Sequence, residues 1–196
     1  MNIRSTLIAT ALGMAFAAGA MAQTTGSEVQ RDINQQKRIE QGLQSGSLST
    51  GEAAKLERGE ARVDRMEANA LKDGQLSPAE KERIQRAQNA ESQRIEQLKH
   101  NQVTGNSQSA SSQRMQADVQ RNVNQEQRIK QGVQSGSLTN HEVAKLERGQ
   151  AKVDRREARA GRDGHVGAAE QAGIQHAENA QSKRIYHKKH NEQVKE

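Results

Sequence analysis

The chain has no cysteine and no tryptophan, and only one phenylalanine, one tyrosine and one proline in 196 residues. Without cysteine there are no disulfide staples, no thiolate metal ligands, no thiol redox chemistry and no cysteine nucleophile. Past Ala22 the only aromatic side chain is Tyr186. Leucine, isoleucine and valine make up roughly 14% of that remainder, below the ~20% under which disorder becomes the expectation. A large apolar core is therefore excluded, and so is a desolvated pocket that would hold a general acid, base or nucleophile in place. Two features oppose disorder. The 30 basic and 24 acidic residues nearly cancel, and apolar residues recur at helical spacing, which together favour marginal helical structure.

What is present is one stretch written twice. Residues 29–101 and 119–191 align without a gap at an offset of about 90, with about 43 of roughly 73 positions identical. Residues 102–118, which begin QVTGNSQSASS, are rich in Ser, Gln and Gly and are expected to act as a flexible linker running into the first helix of the second copy. Residues 192–196 are a short tail. Ahead of the repeats, Arg4, the apolar run from Leu7 to Ala20 and the small-residue site Ala20-Met21-Ala22 have the three-part form of a secretory signal peptide over residues 1–22. Cleavage near Ala22 and a periplasmic or secreted location are expected. No later segment is apolar enough to span a bilayer, since about 20 apolar residues are needed.

Each copy reads as about three short helices, which makes the fold class all-α, two helix-loop-helix modules on a tether. In the first copy Ser27-Glu28-Val29-Gln30 offers a capping box, Val29, Ile33, Ile39 and Leu43 mark an apolar side, and Gln44-Ser45-Gly46 stops the helix. Ser49 with Glu52 starts the second helix, whose seam is Leu56, Val63 and Ala70, with Gly59 allowing another helix to come close. Asp73-Gly74 ends it, and Ser77-Pro78-Ala79-Glu80 starts the third, lined by Ile84, Ala87, Ile95 and Leu98. The second copy repeats this with Thr139, Glu142, Leu146, Val153, Ile174 and Ile185. It has Gly167 and Ala168 where the first has Ser77 and Pro78, so its last helix should be less stable.

The loop at residues 69–80 resembles the twelve-residue calcium loop of EF-hand proteins. Asn69 stands at the first ligand place, Asp73 at the fifth, Gly74 at the sharp turn, Gln75 at the seventh, Ser77 at the ninth and Glu80 at the twelfth. The resemblance implies a weak calcium site, weak because Leu71 has no oxygen to offer at the third place and Lys72 sits in the middle. The matching loop in the second copy carries Arg159 and Arg162 and should repel cations. A capping box after a glycine turn explains all four interhelical loops equally and is the favoured reading. Across the repeat, the runs RIEQGLQSGSLSTGEAAKLERG, DGQLSPAE and QRIEQLKHN resemble small exported proteins of proteobacteria. That resemblance implies export and the repeat boundaries, and no activity.

The basic excess lies in the second copy, roughly 14 basic against 8 acidic residues, compared with 13 against 12 in the first. Arg155, Arg156, Arg159 and Arg162, with Lys183, Arg184, Lys188 and Lys189, form a candidate polyanion patch. No aromatic platform accompanies it, which argues against sequence-specific nucleic-acid binding. Interleaved pairs such as Glu82/Arg86 and Glu126/Lys130 read as a solvated helix face. His187 and His190, three apart, are an alternative transition-metal pair, although Lys188 and Lys189 between them favour a plain helix C-terminus. The expectation is a non-enzymatic exported protein that binds an envelope partner or a polyanion under envelope stress, without a cofactor beyond weak calcium; no feature of the sequence fixes an oligomeric state.

Overall fold

A computed structural model describes residues 13–191, with side chains from residue 25 onward. The signal-peptide reading falls largely, and the 192–196 tail wholly, outside the described residues. The described chain is helical throughout, with no strand: α1 (Gly13–Ser45), α2 (Thr50–Ala70), α3 (Pro78–Lys99), α4 (Ala110–Gln134), α5 (Asn140–Ala160) and α6 (Ala168–Lys189). Three helices per copy match the sequence, but at 21 to 33 residues none is short. No helix among the described residues is long and apolar enough to cross a membrane.

The helix starts follow the sequence signals closely. Ser49 and Glu52, Ser77 and Glu80, and Thr139 and Glu142 form reciprocal capping boxes that satisfy the first free backbone donors. At Gly167 only the reverse half can form, with Glu170 Oε2 accepting from the Gly167 N–H at 2.9 Å. Gly46, Gly74, Gly136 and Gly164 close the turns at φ between 67° and 87°, where a side chain would be strained. One expected start is absent. The helix already runs through Ser27, and Glu28 faces α3, where its side chain and carbonyl accept from Gln85 and Gln88.

Within a copy, the first and third helices run parallel: Arg31 reaches Asn89, Gln35 reaches Ser92 and Arg38 reaches Glu96. The same ladder recurs as Arg121 to Asn179 and Arg128 to Ser182. The KHN ending of each copy has a structural task. Asn101 Nδ2 donates to Glu52 Oε1 at 2.7 Å and Asn191 Nδ2 to Glu142 Oε1 at 2.5 Å, tying the end of the third helix to the capping box of the second.

The copies do not stand apart. The most extensive packing is α2 on α5, followed by α1 on α4. Both pairs are antiparallel: Gly51 lies beside Gly164, Gln116 donates to the Leu43 carbonyl, and Lys130 reaches back to Gln30. The result is six helices about a pseudo-twofold axis. One apolar cluster combines Val29, Ile33 and Ile84 with Ile129, Leu146 and Ile185; the other combines Ile39, Leu43 and Leu56 with Met115, Val119 and Ile174. Where the sequence suggested separate modules, each apolar cluster draws on both copies, because neither copy has enough apolar surface to bury a core of its own. The second half of the supposed linker joins in, with Ser111, Ser112 and Met115 all buried in α4 or its start.

Candidate functional site

Between the two apolar clusters the interior is polar and acidic. Besides the two capping glutamates Glu52 and Glu142, thirteen carboxylates are buried: Glu28, Asp32, Glu57, Glu60, Asp64, Glu67 and Glu91 from the first copy, and Asp118, Glu126, Glu147, Asp154, Glu157 and Glu178 from the second. Gln35, Gln36, Gln88, Asn122, Gln125, Gln150 and Gln181 are buried among them. No lysine, arginine or histidine is buried among the described residues. Isolated charge in such a place costs several kcal/mol per ion or more, so the interior must be neutralised by protons or by bound cations.

The centre of this layer is the α2–α5 face. Asp64 and Asp154, equivalent in the two copies, hydrogen-bond to each other across the pseudo-twofold axis. Glu57 bonds Glu157, and Asp32 bonds Glu67. Amides hold the carboxylates: Gln36 Nε2 donates to Glu57 Oε2 at 3.1 Å, Gln88 Nε2 to Asp32 Oδ1 at 2.9 Å and Glu67 Oε1 at 3.0 Å, and Asn122 Nδ2 to Glu157 Oε2 at 2.8 Å. Many acceptors remain without a donor. Glu60, Glu126 and Glu147 have both carboxylate oxygens buried and unpartnered.

Burial is the first cause of every upward shift in this layer. It lifts Asp32 and Glu57 to about 7 against the pull of hydrogen bonds from Gln88 and Gln36 respectively. Glu91 and Asp118 also rise to about 7, opposed by Arg94 and Gln171 respectively, and Glu178 rises to about 8. Glu60, Asp64, Glu67, Glu126, Glu147, Asp154 and Glu157 lie well above the usual carboxyl range, driven by burial and by the neighbouring carboxylates. The exceptions sharpen the rule. Burial also works on Glu52 and Glu142, yet bonds from Asn101 and the Ser49 cap, and from the Thr139 cap and Asn191, outweigh it and hold both low.

Gly59 and Gly149 are part of this construction. A β-carbon at Gly59 would sit 2.1 Å from the Glu91 carboxylate, and one at Gly149 would sit 2.0 Å from Gln181 Oε1. The close approach read from Gly59 is real, but what enters the gap is a polar head from α3, not an apolar seam.

The residues singled out from sequence lie elsewhere. In the 69–80 loop, Glu80 Oε2 accepts from Ser77 N–H at 3.0 Å and Ser77 Oγ at 2.6 Å, and Asp73 Oδ1 accepts from Gln75 N–H at 3.1 Å. Asn69 and Glu80 line a surface groove with Arg62, Arg65 and Arg83, whose charges oppose a cation. His190 Nδ1 pairs with the Tyr186 carbonyl at 2.8 Å and its ring stacks on Tyr186, while His187 is exposed nearby. The basic patch splits. Arg155, Arg156 and Arg159 line a groove with Arg58 and Lys152, and Arg162 is exposed just beyond, whereas Lys188 lies 3.7 Å from Glu142 at the other end of α5, about 25 Å away at 1.5 Å rise per residue. Lys183 and Arg184 are exposed on α6 and Lys189 is half-buried there. Of the two surface pairs, Glu82/Arg86 forms, but Glu126 is buried and Lys130 turns to Gln30.

The acidic layer left a signal in the sequence. On α2 none of Glu57, Glu60, Asp64 or Glu67 has a basic residue three or four positions away in either direction, while Lys55, Arg58, Arg62, Arg65 and Lys72 form a separate exposed stripe. Segregation of charge onto two faces marks an acid face turned away from water. Comparison with known proteins adds no relative: no family model, no curated protein and no solved structure matches the chain.

Proposed function

We propose that this is a non-enzymatic, exported binding protein of the bacterial envelope, adapted to acid conditions, whose two repeats act as one unit around a carboxylate chamber neutralised by small cations, protons first. The observation that carries it is the burial of thirteen carboxylates with no buried base among the described residues. The EF-hand-like loops serve this unit as helix caps. The apolar run and small-residue site at the N-terminus support export.

The pH dependence follows with a definite sign. Carboxyls whose pKa rises on folding give stability that is fully present below their unfolded range near pH 4 and is lost as pH climbs through the folded values. Here those values reach about 7 for Asp32, Glu57, Glu91 and Asp118 and about 8 for Glu178. The bases that face the layer, Arg31, Arg38, Arg62, Lys81, Arg94 and Arg121, offset this only in part; Arg121 pairs with Glu178 at 3.0 Å. Thermal unfolding in chelator should therefore show the highest midpoint near pH 4 to 5 and a fall through pH 7 to 8. A midpoint that is flat or rises over that range removes the proposal.

A second reading, polyanion docking, is favoured by the groove of Arg58, Lys152, Arg155, Arg156 and Arg159. No carboxylate lines it, and no ion pair holds any of these five among the described residues. Heparin retention should fall steeply with salt and be weakened by Arg155→Ala with Arg159→Ala.

A further inference from the structure

We infer that Glu57, Asp154 and Glu157 together bind one hard divalent cation between the repeats. The inference rests on the proposed chamber and specifies what displaces protons there as pH rises. One oxygen from each residue lies within 4.8 Å of the other two, all three side chains being fully buried. A common centre then lies no more than about 2.8 Å from each oxygen, a few tenths of an ångström beyond the 2.0–2.6 Å of hard cations, so small rotamer changes complete the contact.

Two further groups point to a ligand at this place. Gln36 holds Glu57 through its Nε2, and its carbonyl Oε1, in a side chain 3% exposed, has no hydrogen-bond donor. Glu60, one turn along α2, is 1% exposed, has both oxygens unpartnered and acts electrostatically on Asp154 and Glu57. These are acceptors in need of a positive partner. The groups facing the three carboxylates from the remaining helices supply none: Asp118 on α4, Glu91 on α3 and Glu178 on α6 are themselves acids. Asn122 orients the site, donating to Glu157 at 2.8 Å and to Asp154 at 3.4 Å.

The donor set fixes the class of ion. Oxygen alone, without imidazole or thiolate, suits manganese, magnesium or calcium and disfavours copper and zinc. The symmetry-related residues Glu147, Asp64 and Glu67 do not gather in the same way. Asp32 occupies the place equivalent to Asn122 and bonds Glu67, so an acid stands there where Asp154 and Glu157 have the Asn122 amide.

The test is a titration of the whole protein with manganese, following free Mn²⁺ by electron paramagnetic resonance at pH 7.5 and pH 5.0, with magnesium and calcium as competitors. One Mn²⁺ per chain is expected at pH 7.5, weakened at least tenfold at pH 5.0, where protons compete. Asp154→Asn and Glu157→Gln should each weaken it at least tenfold while the helical circular dichroism is kept, and Asp73→Asn should leave it unchanged. Manganese should raise the unfolding midpoint of the wild type at pH 7.5 and not that of Asp154→Asn. Failure of the folded wild type to bind, unchanged affinity in Asp154→Asn and Glu157→Gln, or loss of binding in Asp73→Asn would each overturn the assignment. The pH–stability curve in chelator keeps the two claims apart: a fall with pH and no manganese binding leaves the chamber and removes the metal site, whereas binding without the fall does the reverse.

Discussion

Ten pairs of equivalent positions are buried and polar in both repeats, apart from the caps, and at five of them one repeat has an acid where the other has an amide: Asp32 and Asn122, Gln36 and Glu126, Glu60 and Gln150, Gln88 and Glu178, Glu91 and Gln181. Both repeats keep acids at Glu57 and Glu147, Asp64 and Asp154, and Glu67 and Glu157, the face where α2 meets α5. Glu28 and Asp118 are the other acidic pair. The difference separates two requirements. On the flanking helices, and at Glu60 and Gln150, a hydrogen-bonding head of the right size suffices, charged or not. At the other three pairs of the α2–α5 face the carboxylate itself is retained.

The largest effect should come from breaking the unity of the two repeats. Leu56→Ala and Leu146→Ala, each removing a fully buried side chain, should cost about 2–5 kcal/mol apiece, and urea unfolding should remain one transition for the whole chain. Two separated transitions would show that the repeats fold independently despite their mixed clusters. Next in size is the exchange of acid and amide. Glu60→Gln copies the second repeat into the first and removes a buried acid with no partner. It should stabilise by about 1–3 kcal/mol at pH 8 and change little at pH 4, and Gln150→Glu should do the opposite. An equal effect at both pH values would mean that shape and not ionisation distinguishes the repeats at this position.

Much of the frame was legible because helix caps are local. Ser49 with Glu52, Ser77 with Glu80, Thr139 with Glu142 and the four glycine turns need only a few neighbouring residues, and each stands where the pattern put it. The apolar residues Leu43, Leu56, Ile84, Ile95, Leu146 and Ile185 are likewise all buried. The acidic layer was not read, because a glutamate on a helix counts as surface unless something says otherwise. What says otherwise is distributed: a missing base at three and four positions for Glu57, Glu60, Asp64 and Glu67 on α2, and a partner helix 90 residues away whose Glu147, Asp154 and Glu157 have the same defect. The pairing of copies was hidden for the same reason, since self-complementarity is a property of two faces together.

The smaller contrasts lie at the helix ends. Asn191→Ala should cost about 1.5–3 kcal/mol by removing a hydrogen bond to the Glu142 carboxylate, and Asn101→Ala a similar amount at Glu52, measured by thermal melts. A much larger loss at Asn101 would show that its neighbouring tether depends on it. Gly167→Ser restores to the second repeat the cap that the first has in Ser77, and should gain only a few tenths of a kcal/mol, because glycine is itself a tolerable cap.

The antiparallel pairing of α1 with α4 and α2 with α5 gives each repeat a surface that is complementary to its own twin. Such an isologous arrangement is that of a twofold homodimer, with Asp64 and Asp154 standing where one residue would meet its own symmetry mate. A chain of one repeat is thus expected to be half of a dimer, populated or not according to its concentration. Joining two repeats makes the encounter intramolecular, at an effective concentration in the millimolar range for a short flexible tether. The turn hydrogen bond from Gly105 N–H to the Gly46 carbonyl, 2.8 Å long, pins that tether to the first repeat and shortens its effective span. In a dilute compartment the duplication would free assembly from abundance, and one partner could never be lost without the other.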